Sequence, residues 1–402
     1  MNSMLNIDDA IRYAKLSVSI LPENDNSIYL ANAYLTLGQL FSGTDRYIQA
    51  ADVFSKSYKL FYALDLQFLA SIAFTNEVLN LSKIGEYTVV IKKCTDMWLI
   101  TESYLHEVGY TWDLIHLPLG ICYYELNKPQ LAVEHLEKAW ECLNNLELFH
   151  MYGLSELYLL KSYYILNDIN SIMTLQKACE NRFSHIYHPF FKLLFFMFKI
   201  YLHKLNKEDI KPIINKIETD ALENQYYTYF IIMELLVYLK LNKYSEAISI
   251  KNLKEKLLYF EAINNISLVQ QTCIYLAEFN YLEENTQELL FYLQKAISLY
   301  KKYNLSANFY LSPLKSIEYI KIFDIELYND IKKKSMINKG LLSPREKEIM
   351  KLISLGKTNA EISDELFISV GTIKWHINNI FNKLDVKNRV QAIEKAKKNK
   401  EI

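Results

Sequence analysis

A stretch of side chains near the C-terminus has the types and spacing needed to contact the edges of nucleic-acid bases. From Ser369 to Leu384 the sequence contains no acidic residue. Drawn as one helix, the stretch carries on one face Gly371, Trp375, Asn378 and Asn382, flanked by Lys374 and Asn379. Asn can bind adenine through two hydrogen bonds, Lys can reach guanine or a phosphate, and an aromatic ring can contact a thymine methyl group. The face therefore suits the major groove of DNA. The alternative is that Trp375 is buried against a neighbouring part of the protein.

Other residue groups that could do chemistry form weaker patterns. His185 and His188 are the closest histidine pair, but Pro189 follows them and a third ligand is missing nearby, so a metal site is not favoured. The string Gly356-Lys357-Thr358 lacks the glycine that a phosphate-binding loop needs five residues earlier. The sequence has neither a G-x-S-x-G nucleophile elbow nor an H-E-x-x-H pair. It therefore predicts a protein that is not an enzyme and has no metal or cofactor.

Clear helix start signals precede the acid-free stretch. Ser343 with Glu346, and Thr358 with Glu361, have the spacing of a capping box, in which two side chains satisfy the first amides of a helix. Gly356 lies between them and suits the end of the first of these two helices. The pattern predicts two short helices in front of the stretch.

The stretch itself is expected to be a third helix, opened by Ser369 and running to about Leu384. The turn at 366–369 is three to four residues long, which is typical of a helix-turn-helix. A fourth helix is expected to begin at Asn388 and to end among lysines, which suit a helix C-terminus. The buried face of the third helix is predicted to consist of Ile373, Ile377, Ile380 and Leu384.

The motifs in this region resemble a known domain. Residues 342–392 are similar to the DNA-binding domain of LuxR-type (NarL/GerE-like) bacterial transcription regulators. The resemblance covers about 60 of the 402 residues and is specific, because four blocks occur in the family's order and spacing. These blocks are Leu342-Ser343-Pro344-Arg345-Glu346, Gly356 with Asn359-Ala360-Glu361-Ile362, Thr372-Ile373-Lys374-Trp375-His376, and Lys383-Leu384-Asp385-Val386-Lys387-Asn388-Arg389.

The resemblance implies a role for each matching position. The recognition helix would be Val370–Leu384, and a fourth helix over about Asn388–Lys398 would form the dimer contact. Trp375 is bulkier than the residue usual at its position, and Asn378 stands where a basic residue is common. Bases would be contacted by Lys374, Trp375 and Asn378. The DNA backbone would be touched, or the helix supported, by Thr372, His376, Lys383 and Arg389. The predicted DNA-binding set is completed by Asn379 and Asn382.

Composition indicates a helical protein. The 402 residues include only 9 Gly and 7 Pro, about a third of the usual share for these two types. Folds with many hairpins, such as sandwiches and propellers, need more of these turn residues. Apolar types make up 51% of the chain, enough for a large core. We therefore predict an all-α fold.

The sequence before the C-terminal region contains two similar segments. Gly38, Ala50 and Phe54 are each followed 82 positions later by a counterpart, at Gly120, Ala132 and Leu136. Their spacing resembles that of tetratricopeptide repeats, with units of about 41 residues in place of 34. Small residues would let the two helices of a unit approach closely, while the large residues fill the space between them.

Weaker copies of the pattern extend the series. We predict about seven helix hairpins that stack as a tetratricopeptide-like α-solenoid, with an irregular all-α domain as the alternative. Polar breaks such as 83–86, 126–129 and 166–168 would form the turns. The hairpins are expected at about 25–64, 65–104, 108–146, 147–184, 187–222, 223–262 and 264–304, followed by a closing helix over 305–331.

Charge divides the chain in two. From Lys332 onward the sequence has 16 Lys and Arg against 8 Asp and Glu, a net charge of +8, whereas the preceding residues sum to −9. We predict a sensor and dimerisation domain at 1–331, a basic linker at 332–340 and a DNA-binding domain at 341–402. Such an acidic body with a basic tail is typical of a nucleic-acid module joined to another function.

These patterns predict a cytoplasmic transcriptional regulator that binds double-stranded DNA as a homodimer, with a helical body that senses a small-molecule or peptide effector or a partner protein. The alternative is a protein- or peptide-binding adaptor whose DNA-binding tail is regulated by that capture. No signal peptide and no membrane contact are expected. The five cysteines lack close pairing and are predicted to be free, reduced and buried.

Overall fold

The computed structural model of the protein describes residues 7–21, 27–102, 109–146, 153–183, 194–195, 197–198, 201, 250–311, 314–340, 342, 344–366, 370–384, 386 and 388–399. Within these ranges the chain forms nineteen α-helices and one 3-10 helix and has no strand, which confirms the predicted all-α fold. In the same ranges no helix has the length and apolar character needed to cross a membrane. All five cysteines are free and buried, as predicted.

The chain divides into two compact units, Met1–Ser316 and Ile317–Ile402, called here the N-terminal and C-terminal units. The described helices of the N-terminal unit are α1 (Ile7–Ile20), α2 (Ile28–Gly43), α3 (Tyr47–Ala63), α4 (Gln67–Lys83), α5 (Tyr87–Glu102), a 3-10 helix (Gly109–Ile115), α6 (His116–Glu125), α7 (Pro129–Leu146), α8 (Leu154–Ile165), α9 (Ile169–Phe183), α10 (Ile250–Ala262), α11 (Ile266–Leu282), α12 (Thr286–Tyr303) and α13 (Ala307–Leu311). Those of the C-terminal unit are α14 (Ile317–Ile320), α15 (Ile325–Gly340), α16 (Pro344–Ser354), α17 (Asn359–Leu366), α18 (Val370–Leu384) and α19 (Arg389–Lys398).

Five of the seven predicted hairpins are confirmed as pairs of consecutive helices. They are α2–α3, α4–α5, α6–α7 with the preceding 3-10 helix, α8–α9 and α11–α12. The hairpin expected at 187–222 lies outside the described residues except at isolated positions, and of the one at 223–262 only α10 is described. That these hairpins are tetratricopeptide repeats stays a prediction.

The turns between these helices share one backbone geometry. Each contains one residue with left-handed φ, between 52° and 84°, at a position where Asp, Asn or Gly usually stands. The following amide donates a hydrogen bond of 2.8–3.1 Å to the carbonyl five residues earlier, which ends the preceding helix as a Schellman motif. This explains why the short polar breaks in the sequence marked the turns. The left-handed residues are Asp45, Asp65, Gly85, Asn127, Asn167, Asn264 and Glu284.

Close helix contacts occur where the repeated small residues predicted them. A β-carbon added to Gly38 would lie 2.7 Å from the ring of Phe54, and one added to Gly120 would lie 2.4 Å from Leu136. Phe54 and Leu136 are fully buried. The two predicted glycine contacts, 82 positions apart, are therefore confirmed as equivalent packing points.

Helices late in the N-terminal unit contact the turns of early hairpins. Tyr259 on α10 donates a hydrogen bond to Asp45 in the α2–α3 turn. A β-carbon on Gly85, in the α4–α5 turn, would lie 3.0 Å from Ile266. Ser267 on α11 donates to Glu125 at the end of α6, at 3.0 and 3.1 Å. The sequence predicted only that each hairpin stacks on its neighbours. The structure adds contacts between late helices and early turns, which join positions too far apart in sequence to leave a repeating pattern.

The region between the hairpins and the DNA-binding motifs differs from the prediction. In place of one closing helix over 305–331, the chain forms α13, α14 and the start of α15. Pro313 lacks a backbone amide hydrogen and so disfavours a continuous helix, and the Asp324 side chain accepts from the amide of Leu327 at 2.8 Å, which begins α15 anew.

The segment 332–340, which was predicted to be a linker, is helical in the structure. Helix α15 runs from Ile325 through to Gly340, and its backbone approaches that of α18. The segment lacks an apolar period, but it contains no proline and its single glycine is the last residue, so nothing interrupts a helix begun at Ile325. The predicted boundary at residue 331 falls inside this helix, whereas the compact units divide at Ser316.

Candidate nucleic-acid interface

A small core of its own holds the helix that was predicted to contact DNA. Helix α18 has the predicted bounds, and the face predicted to be buried lies in this core. Because these apolar side chains lie at intervals of four, three and four residues, they form one stripe along the helix. The core also contains residues of α16, α17 and α19, among them Ile349, Ile353, Ile362 and Ala392.

The ends of the surrounding helices are fixed by hydrogen bonds that the sequence motifs predicted. The Glu361 carboxylate accepts from the amide of Thr358 at 2.7 Å, and the amide of Glu361 donates to the Thr358 hydroxyl at 3.3 Å. This confirms the capping box at the start of α17. Gly356, after α16, has a left-handed φ of 84°. The Asn388 side chain caps α19 by accepting from the amide of Gln391 at 3.0 Å. The other predicted capping box includes Ser343, which lies outside the described residues.

The surface of α18 opposite the core carries two described polar side chains. Lys374 and Asn378 are exposed and lie four residues apart, so they are neighbours on one face of the helix. Neither one of them packs in the domain core. The side chains of Thr372, Trp375, Asn379, Asn382 and Lys383 lie outside the described residues, so their contacts with DNA, and the alternative burial of Trp375, stay predictions.

Two residues in the predicted DNA-binding set have supporting positions. His376 is only 4% exposed. It lies three residues after Ile373 and four before Ile380, within the buried stripe, which the spacing in the sequence already indicates. Of the two roles predicted for His376, contact with the DNA backbone or support of the helix, its burial therefore favours support of α18 from the inside.

Arg389 connects α19 to the start of α17. Its guanidinium donates to the backbone carbonyl of Lys357 and, at 3.4 Å, to the side chain of Asn359. The side chain is half-buried. Its hydrogen-bonding capacity is directed at the turn before α17, so in this structure Arg389 holds two helices together and does not face outward.

Exposed apolar residues in the C-terminal unit were not singled out by the sequence. Leu355 is 72% exposed after α16, and Val390 is 65% exposed in the first turn of α19. Their positions relative to the helices could have predicted this exposure. Leu355 follows the last helical residue of α16, and Val390 precedes the buried Ala392 by two residues, which places it on another side of the helix. Val390 thus gives the outward face of α19 an apolar contact point.

Comparisons with known proteins converge on this part of the chain. A model of the family described as bacterial regulatory proteins, luxR family, matches residues 340–396. The transcriptional regulatory protein LiaR of Bacillus subtilis (strain 168) is 55% identical over 58 residues, which are 14% of this chain and 28% of LiaR. The CsgBAC operon transcriptional regulatory protein of Escherichia coli (strain K12) is 49% identical over 60 residues, 15% of this chain and 28% of that protein.

A shorter relative is covered almost completely. The spore germination protein GerE of Bacillus subtilis (strain 168) is 46% identical over 63 residues, which are 16% of this chain and 85% of GerE. The chain spans little more than a quarter of the length of LiaR and of the CsgBAC regulator. Because most of GerE is nevertheless matched, the chain belongs to the luxR family of bacterial regulatory proteins.

Proposed function

We propose that the protein is a transcriptional regulator that binds DNA through α18 and places its activity under the control of the N-terminal unit. The observation that carries this proposal is α18 itself, a helix inside the family match whose buried stripe faces the core and whose opposite face exposes Lys374 and Asn378. A helix of this kind fits the major groove, where sequence is recognised through base edges.

The two exposed side chains have complementary chemistry. Asn378 carries an amide that can both donate to and accept from adenine, and Lys374 carries a charge that can reach guanine or a phosphate. His376 and Arg389, in contrast, hold α18 and the α17–α19 contact in place. In this proposal Thr372, Trp375, Asn379, Asn382 and Lys383 complete the surface toward DNA.

We propose that DNA is bound by a homodimer, through α19. Helix-turn-helix dimers place two recognition helices in successive major grooves and bind half-sites about one helical turn apart. Val390 supplies an exposed apolar side chain on α19, and the lysines at its end, Lys395, Lys397 and Lys398, are favourable beside a helix C-terminus.

The N-terminal unit is proposed to be the sensor. It is compact by itself and far larger than the DNA-binding part, so it can bind an effector or a partner and shift the population of binding-competent protein. The protein would act in the cytoplasm without catalysing a reaction. An adaptor role, in which the unit captures a protein or peptide, is the alternative.

The test combines two substitutions on α18 with a matched control. Lys374→Ala with Asn378→Ala should weaken sequence-specific binding by 10-fold or more, since each base contact contributes about 1–3 kcal/mol. The site would first be selected from random DNA and affinity measured by fluorescence anisotropy. Lys351→Ala removes the same charge from an exposed position on α16 and should leave specificity unchanged. Equal specificity in the double variant and the wild type would refute the groove assignment.

A further inference from the structure

Two helices of the N-terminal unit expose large apolar side chains, Leu258 on α10 and Phe291 on α12, called here the apolar pair. The two side chains are 68% and 56% exposed. Exposed polar residues stand three positions away on each helix, Glu255 and Gln294. Because single exposed apolar residues are common on soluble proteins, the charges around this pair decide what it can bind.

Two ion pairs join α10 to α12, one on each side of the apolar pair in sequence. Lys254 pairs with Glu288 at 2.8 Å, and Lys295 pairs with Glu261. On each helix the two charged residues and the apolar residue between them are three and four positions apart, so they share one face. Early residues pair with early residues and late with late, so the two helices run in the same direction. The apolar pair therefore lies in the middle of four charges, called here the charged frame.

The signs of the charges alternate around the frame. Each lysine has a glutamate on the neighbouring helix, and a second glutamate seven residues away on its own helix. Seven residues correspond to about 10.5 Å along a helix. The four charged side chains keep between 33% and 44% of their surface exposed, so they can contact a second molecule while they stay paired.

This alternation makes the surface complementary to itself. In a dimer with two-fold symmetry, the same patch of both copies meets. A two-fold axis that lies in the surface, along the helices or across them, places Lys254 of one copy opposite the partner's Glu288 or the partner's Glu261. The same rotation places Lys295 opposite the other of these two glutamates, and the two apolar pairs meet at the centre. A patch of one sign would instead repel its own copy.

From this arrangement we propose that the apolar pair and the charged frame form a contact between the N-terminal units of two copies of this chain. The apolar pair supplies the centre of the contact and the charged frame its polar rim, which is the usual anatomy of a protein interface. Lys254 is also held 5.8 Å from the centre of the Tyr292 ring, so less side-chain freedom is lost on association. The inference rests on the proposed function, in which a homodimer binds DNA, and adds a second contact to that of α19.

Sedimentation velocity of the full-length protein without DNA measures the self-association. Because the patch is small, we expect a reversible dimer with a dissociation constant on the order of 10 µM. A protein that stays monomeric up to about 0.5 mM would overturn the proposal.

Substitutions in the apolar pair show whether the dimer uses this surface. Leu258→Asp and Phe291→Asp should each weaken self-association about 10-fold or more, because each would place a charge in the centre of the contact. Leu99→Asp is the matched control, since Leu99 is 64% exposed and lies on α5, outside the surface. Circular dichroism checks that all three variants are folded. Unchanged self-association in folded Leu258→Asp or Phe291→Asp would overturn the assignment.

An exchange of charges tests the charged frame without removing an ion pair. The fourfold variant combines Lys254→Glu, Glu261→Lys, Glu288→Lys and Lys295→Glu, which keeps both ion pairs and the alternation of signs. It should self-associate like the wild type. In a mixed dimer, however, every wild-type lysine would meet a lysine, so mixed dimers should be about 10-fold rarer or more. Resonance energy transfer between labelled proteins measures the mixing. Free mixing with the wild type, or a folded fourfold variant that stays monomeric, would overturn the proposal.

DNA binding by the same proteins separates a failure of this inference from a failure of the proposed function. Specific DNA binding by a protein whose self-association ignores Leu258→Asp and Phe291→Asp would remove the surface and leave the proposed function standing. Self-association through the surface by a protein without specific DNA affinity would refute the proposed function and leave the surface standing.

Discussion

The two units of the molecule differ in where their most informative polar residues lie. In the N-terminal unit, ionisable groups such as Glu125, Glu156, Lys161 and Glu278 are buried between helices. In the C-terminal unit, Lys374 and Asn378 are exposed on the helix that the apolar core supports. The difference indicates that interior polar contacts determine the helix arrangement in the first unit, whereas in the second Lys374 and Asn378 remain available for a partner.

The comparison can be tested because each unit has its own core. Substitutions in one unit should change the unfolding of that unit and leave the other folded. Two probes report the unfolding of the two units separately. Far-ultraviolet circular dichroism follows the large helical body, and DNA binding follows the small unit. A two-state analysis of the whole chain would not apply.

The largest effect is expected from Glu156→Ala in the N-terminal unit. The fully buried Glu156 carboxylate accepts from the amide of Gly153 at 2.7 Å, from Ser155 at 2.8 Å and from Trp140 at 3.1 Å. Arg182 lies 3.7 Å from it. Loss of one partner of a buried charge pair costs about 3–5 kcal/mol. The measurement is the free energy of unfolding in urea, monitored by circular dichroism.

Glu134→Ala provides the control for that measurement. Glu134 is exposed on α7 and pairs with Lys138 at 3.7 Å on the surface, so its loss should cost less than about 1 kcal/mol. If Glu156→Ala were no more destabilising than Glu134→Ala, buried polar contacts would not determine the arrangement of the N-terminal unit.

A smaller effect is expected from Gly120→Ala. The added methyl group would meet Leu136 and the carbonyl of Ala132, the latter at 3.2 Å, so the two helices of this hairpin must separate. Overpacking of this kind costs about 1–3 kcal/mol. Gly43→Ala is the matched control, because its added carbon meets nothing within 4 Å, and it should be neutral or stabilising. Thermal unfolding of both variants checks the pair, and equal melting temperatures would contradict the packing role.

Much of the fold was predictable because its signals are local. Gly85, Asn127 and Asn167 mark turns in the sequence for the same reason that they adopt left-handed φ in the structure. Gly38 and Gly120 mark helix contacts because a larger residue does not fit there. These are properties of a few neighbouring residues, so a single sequence reveals them.

What was not predictable depends on distant partners or on weak signals. The contact of Glu125 with Ser267 joins positions 142 residues apart and has no local signature. The helix over 332–340 was missed because it has no apolar period. In the C-terminal unit the bounds of α18 were predicted correctly. For His376 the family role left open support of the helix or contact with the DNA backbone, and its place in the buried stripe favours support.

The next prediction concerns how the stability of the N-terminal unit changes at acidic pH. His116 and His135 lie within the unit with their Nδ1 atoms 2.9 Å apart, between the rings of Trp98 and Tyr123. Burial lowers the pKa of His116 to about 3 and also lowers that of His135. A lowered histidine pKa means that the unfolded chain binds protons first. Stability should therefore fall as the pH decreases from about 6.5 toward 3.

Glu125 has the opposite sign over an overlapping range. Its raised pKa favours the protonated folded form, so it adds stability as the pH decreases from about 7 to 4.5. The stability of the wild-type protein should decline only slightly as the pH decreases from 7 to 5. The decline should be steeper in Glu125→Gln and flatter in His116→Phe. Urea midpoints at several pH values check this order. The same slope in all three proteins would show that these groups do not control the acid response.

The smallest expected effect is in the C-terminal unit, from Thr358→Ala. It removes the hydroxyl that accepts from the amide of Glu361 and donates to its carboxylate at 2.8 Å, and loss of such a cap costs about 1 kcal/mol. Because α17 packs against α18, the loss should appear as a lower midpoint for DNA binding in urea, with circular dichroism of the body unchanged. Thr44→Ala, at the C-terminal end of α2, is the control. It should shift the circular dichroism transition of the body and leave the midpoint for DNA binding unchanged. If Thr358→Ala instead shifted the body transition, the two units would unfold together and the contrast between them would not extend to their stability.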